Sequence, residues 1–221
     1  MKDLKAIKGR AYILGLIAEG EHVRQDFKYA ISDARKIARS ISAFANHSGG
    51  QLLIGVKDNG AIAGVKNEED IYVVEQAGWM YCDPPQEIEF TAFSTGETGI
   101  VIRARVAEAT AKPVRVKEDG NRLRAYYRVA DENISAHPLM VKAWYAQQDE
   151  RPASFSLDSV ESALLAEIRA MGTLSIDNAL HLTVASRRTV EDAIVRLAAM
   201  GIIAFEHRPS GFALIAAAKN E

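Results

Sequence analysis

A single cysteine, Cys82, leaves the chain unable to form an internal disulfide or a cysteine-based zinc site, which fits a reducing cytosol. No apolar run approaches the roughly 18 residues of a membrane span. Met1 to Arg10 alternates lysines with apolar residues and shows neither the hydrophobic stretch nor the cleavage site of a signal peptide. A charge excess of one sign is also lacking: 27 Lys+Arg meet 29 Asp+Glu, a formal net charge of −2. A nucleic-acid partner would therefore have to be met by a local patch. There is no Gly-x-x-x-x-Gly-Lys-Ser/Thr loop to cradle the phosphates of ATP, and no Gly-x-Ser-x-Gly nucleophile elbow. The five histidines are scattered without metal-ligand spacing, and His47 reads as a helix-end histidine on the dipole. These absences predict a cytoplasmic protein with no membrane contact and no cofactor.

What is present is ordinary globular material. Hydrophobic residues make up 48% and charged residues 25%, which excludes a disordered, collagenous or coiled-coil chain. At 221 residues there is room for one large or two small domains. Residues 1–148 hold 20 Lys+Arg against 19 Asp+Glu, a net of +1, and residues 149–221 hold 7 against 10, a net of −3. Between them Gln147 to Ser154 is polar, contains Pro152 and has no apolar periodicity. The expected organisation is one domain over 1–148, a linker over 149–156 and a second domain over 157–221, with an α+β fold class overall.

The first domain reads as mixed α/β. Helices are predicted over Leu4–Ile17, Asp33–Asn46, where Ile37, Ile41, Phe44 and Ala45 share a face, Glu69–Tyr81 and Ser135–Gln147. Ser32 or Asp33 can cap the second of these. Strands are predicted over Val23–Ala30, Gln51–Val56, Ile88–Phe93, Ile100–Val106, Val114–Lys117 and Leu123–Val129. The continuous apolar run after Gly49-Gly50 suits a strand buried on both sides, and Asp58-Asn59-Gly60 is a turn from which Ala61–Val65 could return as a hairpin. The second domain has another rhythm: a helix over Leu157–Met171, an extended Thr173-Leu174, a helix from Ser175 to His181, a third helix capped by Ser186, and a hairpin of Ile202–Glu206 with Phe212–Ile215.

That order resembles the winged helix-turn-helix domains of bacterial regulators, most tellingly in Leu182-Thr183-Val184-Ala185-Ser186-Arg187-Arg188-Thr189-Val190, which is similar to the passage into a recognition helix. The resemblance implies that Ser186, Arg187, Arg188 and Thr189 contact DNA from the first turn of that helix, where base edges are nearest. His207 and Arg208 at the hairpin tip would meet a neighbouring backbone. Winged helices also serve as dimerisation modules, and the net −3 of this half suits that alternative.

The first domain has a resemblance of its own. Glu21-His22-Val23-Arg24-Gln25-Asp26-Phe27-Lys28 is similar to the opening of the Schlafen-type AlbA-like domain, and Ile41 to Gly60, with its Ala43-Phe44-Ala45-Asn46, Gly49-Gly50, Ile54-Gly55-Val56 and Asp58-Asn59-Gly60, is similar to that family's core. Lys112-Pro113-Val114 and Tyr126-Tyr127-Arg128-Val129 match its later strands. The resemblance implies a nucleic-acid-binding domain of a bacterial transcriptional regulator; the expected partner is double-stranded DNA, and the winged-helix resemblance implies a homodimer, since such regulators are commonly dimeric. Some animal relatives cleave RNA with three clustered acids, and the matching residues are Glu21, Asp26 and Asp58, with Lys28 two residues on to hold a phosphate. Three carboxylates are hard ligands for Mg²⁺ or Mn²⁺, so a metal-dependent nuclease acting on structured RNA or single-stranded DNA is the enzymatic alternative, although Asp26 is one methylene shorter than the family's usual glutamate.

The strongest electrostatic signal lies in 103–128. Arg103, Arg105, Lys112, Arg115, Lys117, Arg122, Arg124 and Arg128 face only Glu108, Glu118 and Asp119, a local excess of +5. With Tyr126 and Tyr127 alongside, the stretch predicts a phosphate-binding surface with aromatic faces for bases.

Overall fold

Asp33 begins the helix around which the first half of the protein is arranged: its carboxylate accepts from the backbone N–H groups of Arg35 and Lys36, satisfying two of the orphan donors of a helix start. The helix, α2 (Ala34–Ala45), then buries Ile37, Ile41 and Phe44 on the face that the apolar spacing predicts. A computed structural model describes residues 4–65, 69–96, 99–148 and 157–218. The chain divides into two compact units, Met1–Ala136 and His137–Glu221.

In chain order the first unit contains β1 (Ile7–Lys8), α1 (Arg10–Glu19), β2 (Gln25–Lys28), α2, β3 (Gly50–Ile54), α3 (Glu69–Gln76) running into a π-helical turn over Ala77–Tyr81, β4 (Cys82–Asp83), β5 (Ile88–Ser94), β6 (Ile100–Val106), β7 (Arg115–Lys117), β8 (Leu123–Val129) and β9 (Glu132–Ser135). Five strands form one sheet in the order β1-β5-β6-β3-β2, with β2 parallel to β3 and β3 antiparallel to β6; β4-β7-β8-β9 form a second sheet. Because strand side chains alternate, Leu52 and Ile54 of β3 join the core under α2 while Leu53 joins Phe27, Phe93, Val101 and Ile13 of α1 on the other face. The continuous apolar run of this strand thus has the predicted cause, burial on both sides. Gly49 and Gly50 precede it for steric reasons. Gly49 has φ +71° and lies where a Cβ would sit 2.9 Å from the Val106 carbonyl oxygen, and a Cβ on Gly50 would meet the Phe44 ring at 2.2 Å.

The two sheets are tied together from the end of α2. Asn46, 4% exposed, donates through Nδ2 to the carbonyls of Val114 and Tyr126, both at 2.8 Å, and accepts from the Val114 N–H at 2.7 Å. Ser42, one turn earlier, donates to the same Val114 carbonyl at 2.7 Å and accepts from the Tyr126 N–H at 3.1 Å. On the outer side Arg39 grips Glu118 in a bidentate pair through Nε and Nη2, at 2.8 and 2.7 Å, and holds that carboxyl below its ordinary pKa.

Three local expectations change. Leu4–Ile17 does not form one helix: Ile7–Lys8 pairs with β5 as the edge strand of the sheet, and the helix starts only after Gly9. The hairpin expected over Ala61–Val65 reduces to a single bridge, Val56 to Ile62. The helix predicted over Ser135–Gln147 is α4 (Pro138–Ala146), preceded by a strand, and it closes nothing in the first unit. Its Leu139 and Ala143 pack with Leu164, Val190 and Ile194 in the second core, so the second unit starts at His137 rather than 157. The expected linker, 149–156, lies outside the described residues.

The second unit continues with α5 (Ser159–Met171), β10 (Thr173–Ser175), α6 (Ile176–His181), α7 (Arg187–Ala199), β11 (Ile203–Arg208) and β12 (Gly211–Ala216), the strands ordered β10-β12-β11. Ser175 and Ser186 cap α6 and α7 as the sequence predicts. Asp158 and Glu161 form a reciprocal capping box at the start of α5, and Arg196 of α7 bonds to both, at 2.8 Å each.

The Asn46 joint and the His137 cap each have a stability readout. Asn46→Ala removes the bonds to the Tyr126 carbonyl and the Val114 N–H and one of two to the Val114 carbonyl, and is expected to cost on the order of 3 kcal/mol in denaturant unfolding. Asn46→Asp, which keeps the shape but points oxygen at two carbonyls, is expected to cost at least as much, and a tolerated aspartate would show that Asn46 only fills space. In the second unit His137 caps α4 by accepting from the Leu139 N–H, and its ring lies against Phe212. Burial lowers its pKa from 6.5. A depressed pKa in the folded state means the contribution is present above the unfolded value and is lost as pH falls through the folded one. Unfolding followed by Trp144 fluorescence in a Trp79→Phe background should show stability falling below about pH 6.5, with a smaller fall in His137→Asn.

Candidate nucleic-acid interface

The eight cations of 103–128 do not form one surface, because strand alternation and the two sheets send them to different places. Arg122 and Arg124, on and just before β8, are exposed. Arg105 on β6 is exposed and reaches Glu89 only at 3.5 Å. Arg103, two residues before it on the same face, is half-buried, donates to the Tyr12 hydroxyl at 2.5 Å and lies over the rings of Tyr12 and Phe93. Arg115 donates to Asp83 at 2.5 Å, Lys112 to Glu108 at 2.7 Å, and Lys117 to the Met80 carbonyl at 3.1 Å.

Arg128 is a correction. It is 2% exposed and points inward, its guanidinium 4.8 Å above the Phe44 ring, donating to Asn133 Oδ1 at 2.9 Å and to the His22 and Gln25 carbonyls at 3.1 and 3.4 Å. A charge taken out of water costs several kcal/mol unless it is hydrogen-bonded; here β9 and the turn before β2 supply the acceptors. Arg128 therefore welds β8 to the start of β2 and is unavailable to a nucleic acid. Tyr126 and Tyr127 are buried as well, and the Tyr126 hydroxyl donates to Glu118 at 2.5 Å, so the expected base-stacking faces are absent from this strand.

The three family acids are only partly brought together. Glu21 accepts from the Phe27 N–H at 2.7 Å, and its carboxyl is held above its ordinary pKa, first by burial and then by hydrogen bonding to Asp26. Asp26, 6% exposed, pairs with Lys28 at 2.7 Å across the shared strand face that the two-residue spacing predicts. Asp58 is exposed in the turn after β3. Among the described residues no group of three His, Cys, Asp or Glu is placed to hold a metal ion. The donor set of the nuclease alternative thus fits a divalent cation poorly: Glu21 is taken up by the Phe27 N–H, Asp26 is paired with Lys28, and Asp58 does not join them in a group of three. Other chemistry is equally quiet. Burial pushes the Cys82 thiol up to about 12, which removes it as a nucleophile. His47 bonds to the Ser48 hydroxyl at 2.8 Å, and burial and then Lys112 lower its pKa, which works against a cationic role on the helix dipole.

In the second unit the first turn of α7 is open. The side chains of Arg187 and Arg188 are 76% and 92% exposed, while Val190, Ile194 and Leu197 on the opposite face are fully buried. Each arginine faces an acid one turn on: Arg187 to Glu191 at 2.9 Å, Arg188 to Asp192 at 4.0 Å. Exposed pairs of this kind contribute about 0.3–0.5 kcal/mol and give way easily to a better anion. Ser186 and Thr189 bond to each other at 2.8 Å. At the hairpin tip Arg208 pairs with Glu206, and the His207 ring meets Phe212 edge-on rather than projecting.

One feature that the sequence does not signal is a polar cleft of about 480 Å³ beside the C-terminal end of α1, with Arg24 and Arg105 on its walls. The two arginines are 81 positions apart in sequence (105 less 24), and only the β2–β3 and β3–β6 pairings bring them to one place.

A two-sheet α/β domain centred on one buried helix, with exposed cations on its strands, defines the class of the first unit. The chain belongs to the Schlafen AlbA_2 family, whose profile matches residues 21–137. No curated protein matches the chain significantly. Among solved structures the DIP2311 protein from Corynebacterium diphtheriae is similar at 19% identity with a TM-score of 0.43; the match covers 93% of this chain and 38% of that protein, so this chain spans well under half of its length. No described helix is long and apolar enough to cross a membrane.

The split of the acidic trio has a direct readout. In a carboxyl-carbon NMR titration Glu21 is expected to titrate above 4.5. Asp26→Asn should lower that value by removing a like charge, whereas Asp58→Asn should leave it in place. A shift of Glu21 in Asp58→Asn would mean that the three carboxyls interact after all.

Proposed function

We propose that the protein binds double-stranded DNA as a homodimeric bacterial transcriptional regulator of the cytoplasm, its second unit acting as a winged helix-turn-helix that reads a site and its Schlafen AlbA_2 domain holding nucleic-acid backbone. The observation that carries this reading is the first turn of α7, where a serine cap, two well-exposed arginines and a threonine stand opposite a fully buried apolar face. Long forked donors at a helix start suit base edges and phosphates. Glu191 and Asp192 follow at once, so only the N-terminal turn would enter the groove. Membership of a nucleic-acid-binding family supports the role of the first unit, with Arg105, Arg122 and Arg124 as its exposed cations. The reading needs no cofactor.

Two substitutions separate the roles. On a duplex selected from a random pool, Arg187→Ala with Arg188→Ala should reduce preferred-site binding more than random-sequence binding, by ~1–3 kcal/mol for each bidentate base pairing removed. Arg122→Glu with Arg124→Glu should weaken all sequences alike and flatten the log–log salt dependence by about 0.9 for each phosphate no longer neutralised. Equal weakening on both DNAs in the first variant would assign those arginines to the DNA backbone. Retained DNA binding together with loss of the dimer would assign α7 to subunit pairing.

A further inference from the structure

We infer that the cleft at the C-terminal end of α1 is a binding site for a phosphate group, of a size that accepts a mononucleotide, with Arg24 and Arg105 as its anion-holding residues. This goes beyond the DNA-binding reading: it shares Arg105 with that reading but uses neither α7 nor the β8 cations, and the duplex arm of the test below separates the two.

The cleft is lined by two acids and two arginines; Glu108 already accepts from Lys112 at 2.7 Å, and Glu19 lies 3.6 Å from His22 Nε2. The arginines are far less committed. Arg24 has no carboxylate partner among the described residues, and Arg105 has only the distant Glu89. The arginines are therefore the cations of the walls best placed to take an anion, in a recess where charge-assisted hydrogen bonds strengthen. The neighbouring His47 senses the same field: after burial, Lys112, Arg128 and Arg24 all lower its pKa, and the Glu108 carboxylate opposes them.

Shape supports the site independently. Gly49 and Gly50 line the cleft with main chain, and neither position tolerates a side chain, because a Cβ would strike the Val106 carbonyl or the buried Phe44 ring. The cleft's 480 Å³ falls in the range of small-ligand sites, roughly 300–1,000 Å³. The Ser48 hydroxyl and the Gln51 carboxamide add neutral polar groups beside the arginines. Gln51 is steadied by its bond to Gln25 at 2.8 Å, and Gln25 in turn donates to the Leu16 and Gly20 carbonyls at the end of α1, at 2.6 and 2.8 Å. Gln51 is therefore held by a chain of amides rooted in the buried Gln25, while Arg24 and Arg105 stand exposed on the walls.

Calorimetry on the full chain with inorganic phosphate, AMP, adenosine and a short DNA duplex tests the site. One equivalent of AMP should bind, phosphate should compete with it, and adenosine should not. Arg24→Glu with Arg105→Glu should weaken AMP at least about tenfold, in line with loss of charge-assisted bonds, with an unchanged circular dichroism spectrum. Should that variant misfold, Ser48→Asp, which adds one negative charge to the rim, should give the same loss. Duplex DNA that displaces AMP would identify the phosphate source as a nucleic-acid backbone, and failure to displace it would identify a free ligand. No saturable binding of phosphate, AMP or duplex here, or AMP binding indifferent to the arginine and Ser48 variants, overturns the proposal.

Discussion

The amide of Asn46 is the point on which the first unit depends. Two sheets of different direction have to share one helix, and the end of that helix approaches main-chain groups of the second sheet that cannot complete a regular ladder. A short side chain carrying both donors and an acceptor meets three of these groups at once, from a position at which α2 has just stopped supplying its own partners. Ser42 repeats the arrangement one turn earlier. Buried main-chain groups are nearly always paired, so the spacing of Ser42 and Asn46 along α2 sets how the second sheet sits on the first. What looks like a family signature in the sequence is at this position a joint, not a reactive group.

The same economy governs charge. A basic stretch in a sequence suggests a basic surface, but the structure consumes much of this one internally. Arg128 is spent on holding β8 to the turn before β2, Arg103 on covering the edge of the α1 core, and Arg115 on Asp83. Of its arginines only Arg105, Arg122 and Arg124 remain well exposed, and they lie on or beside strands of two different sheets. The electrostatic character of the domain is accordingly set by which strands face solvent rather than by the count of arginines.

Much of the fold was legible beforehand because local rules and burial agree. The helical spacing of Ile37, Ile41 and Phe44, the apolar run after Gly49-Gly50, and the serine caps of α6 and α7 each have one physical reading, and each appears in the structure. The failures have a common cause in long-range pairing. Ile7 becomes strand because the edge of β5 is there to receive it. Arg128 is buried because acceptors 103 and 106 positions away converge on it. The Arg24–Arg105 cleft had no sequence signal at all, since strand register alone creates it. The acidic trio was legible as a motif, but its placement was not, because Asp58 belongs to a turn whose direction the sequence leaves open.

The position of α4 carries a consequence for how such proteins can be assembled over evolutionary time. The family match ends at His137, the residue at which the second compact unit begins, and α4 then contributes Leu139 and Ala143 to the second core. The seam between the modules therefore falls before a helix that composition would assign to the first. A genetic exchange made there moves the helical unit with its own first helix and capping histidine, leaving no apolar face stranded on either side. Exchange at the more conspicuous proline-containing stretch would divide a core instead of joining two.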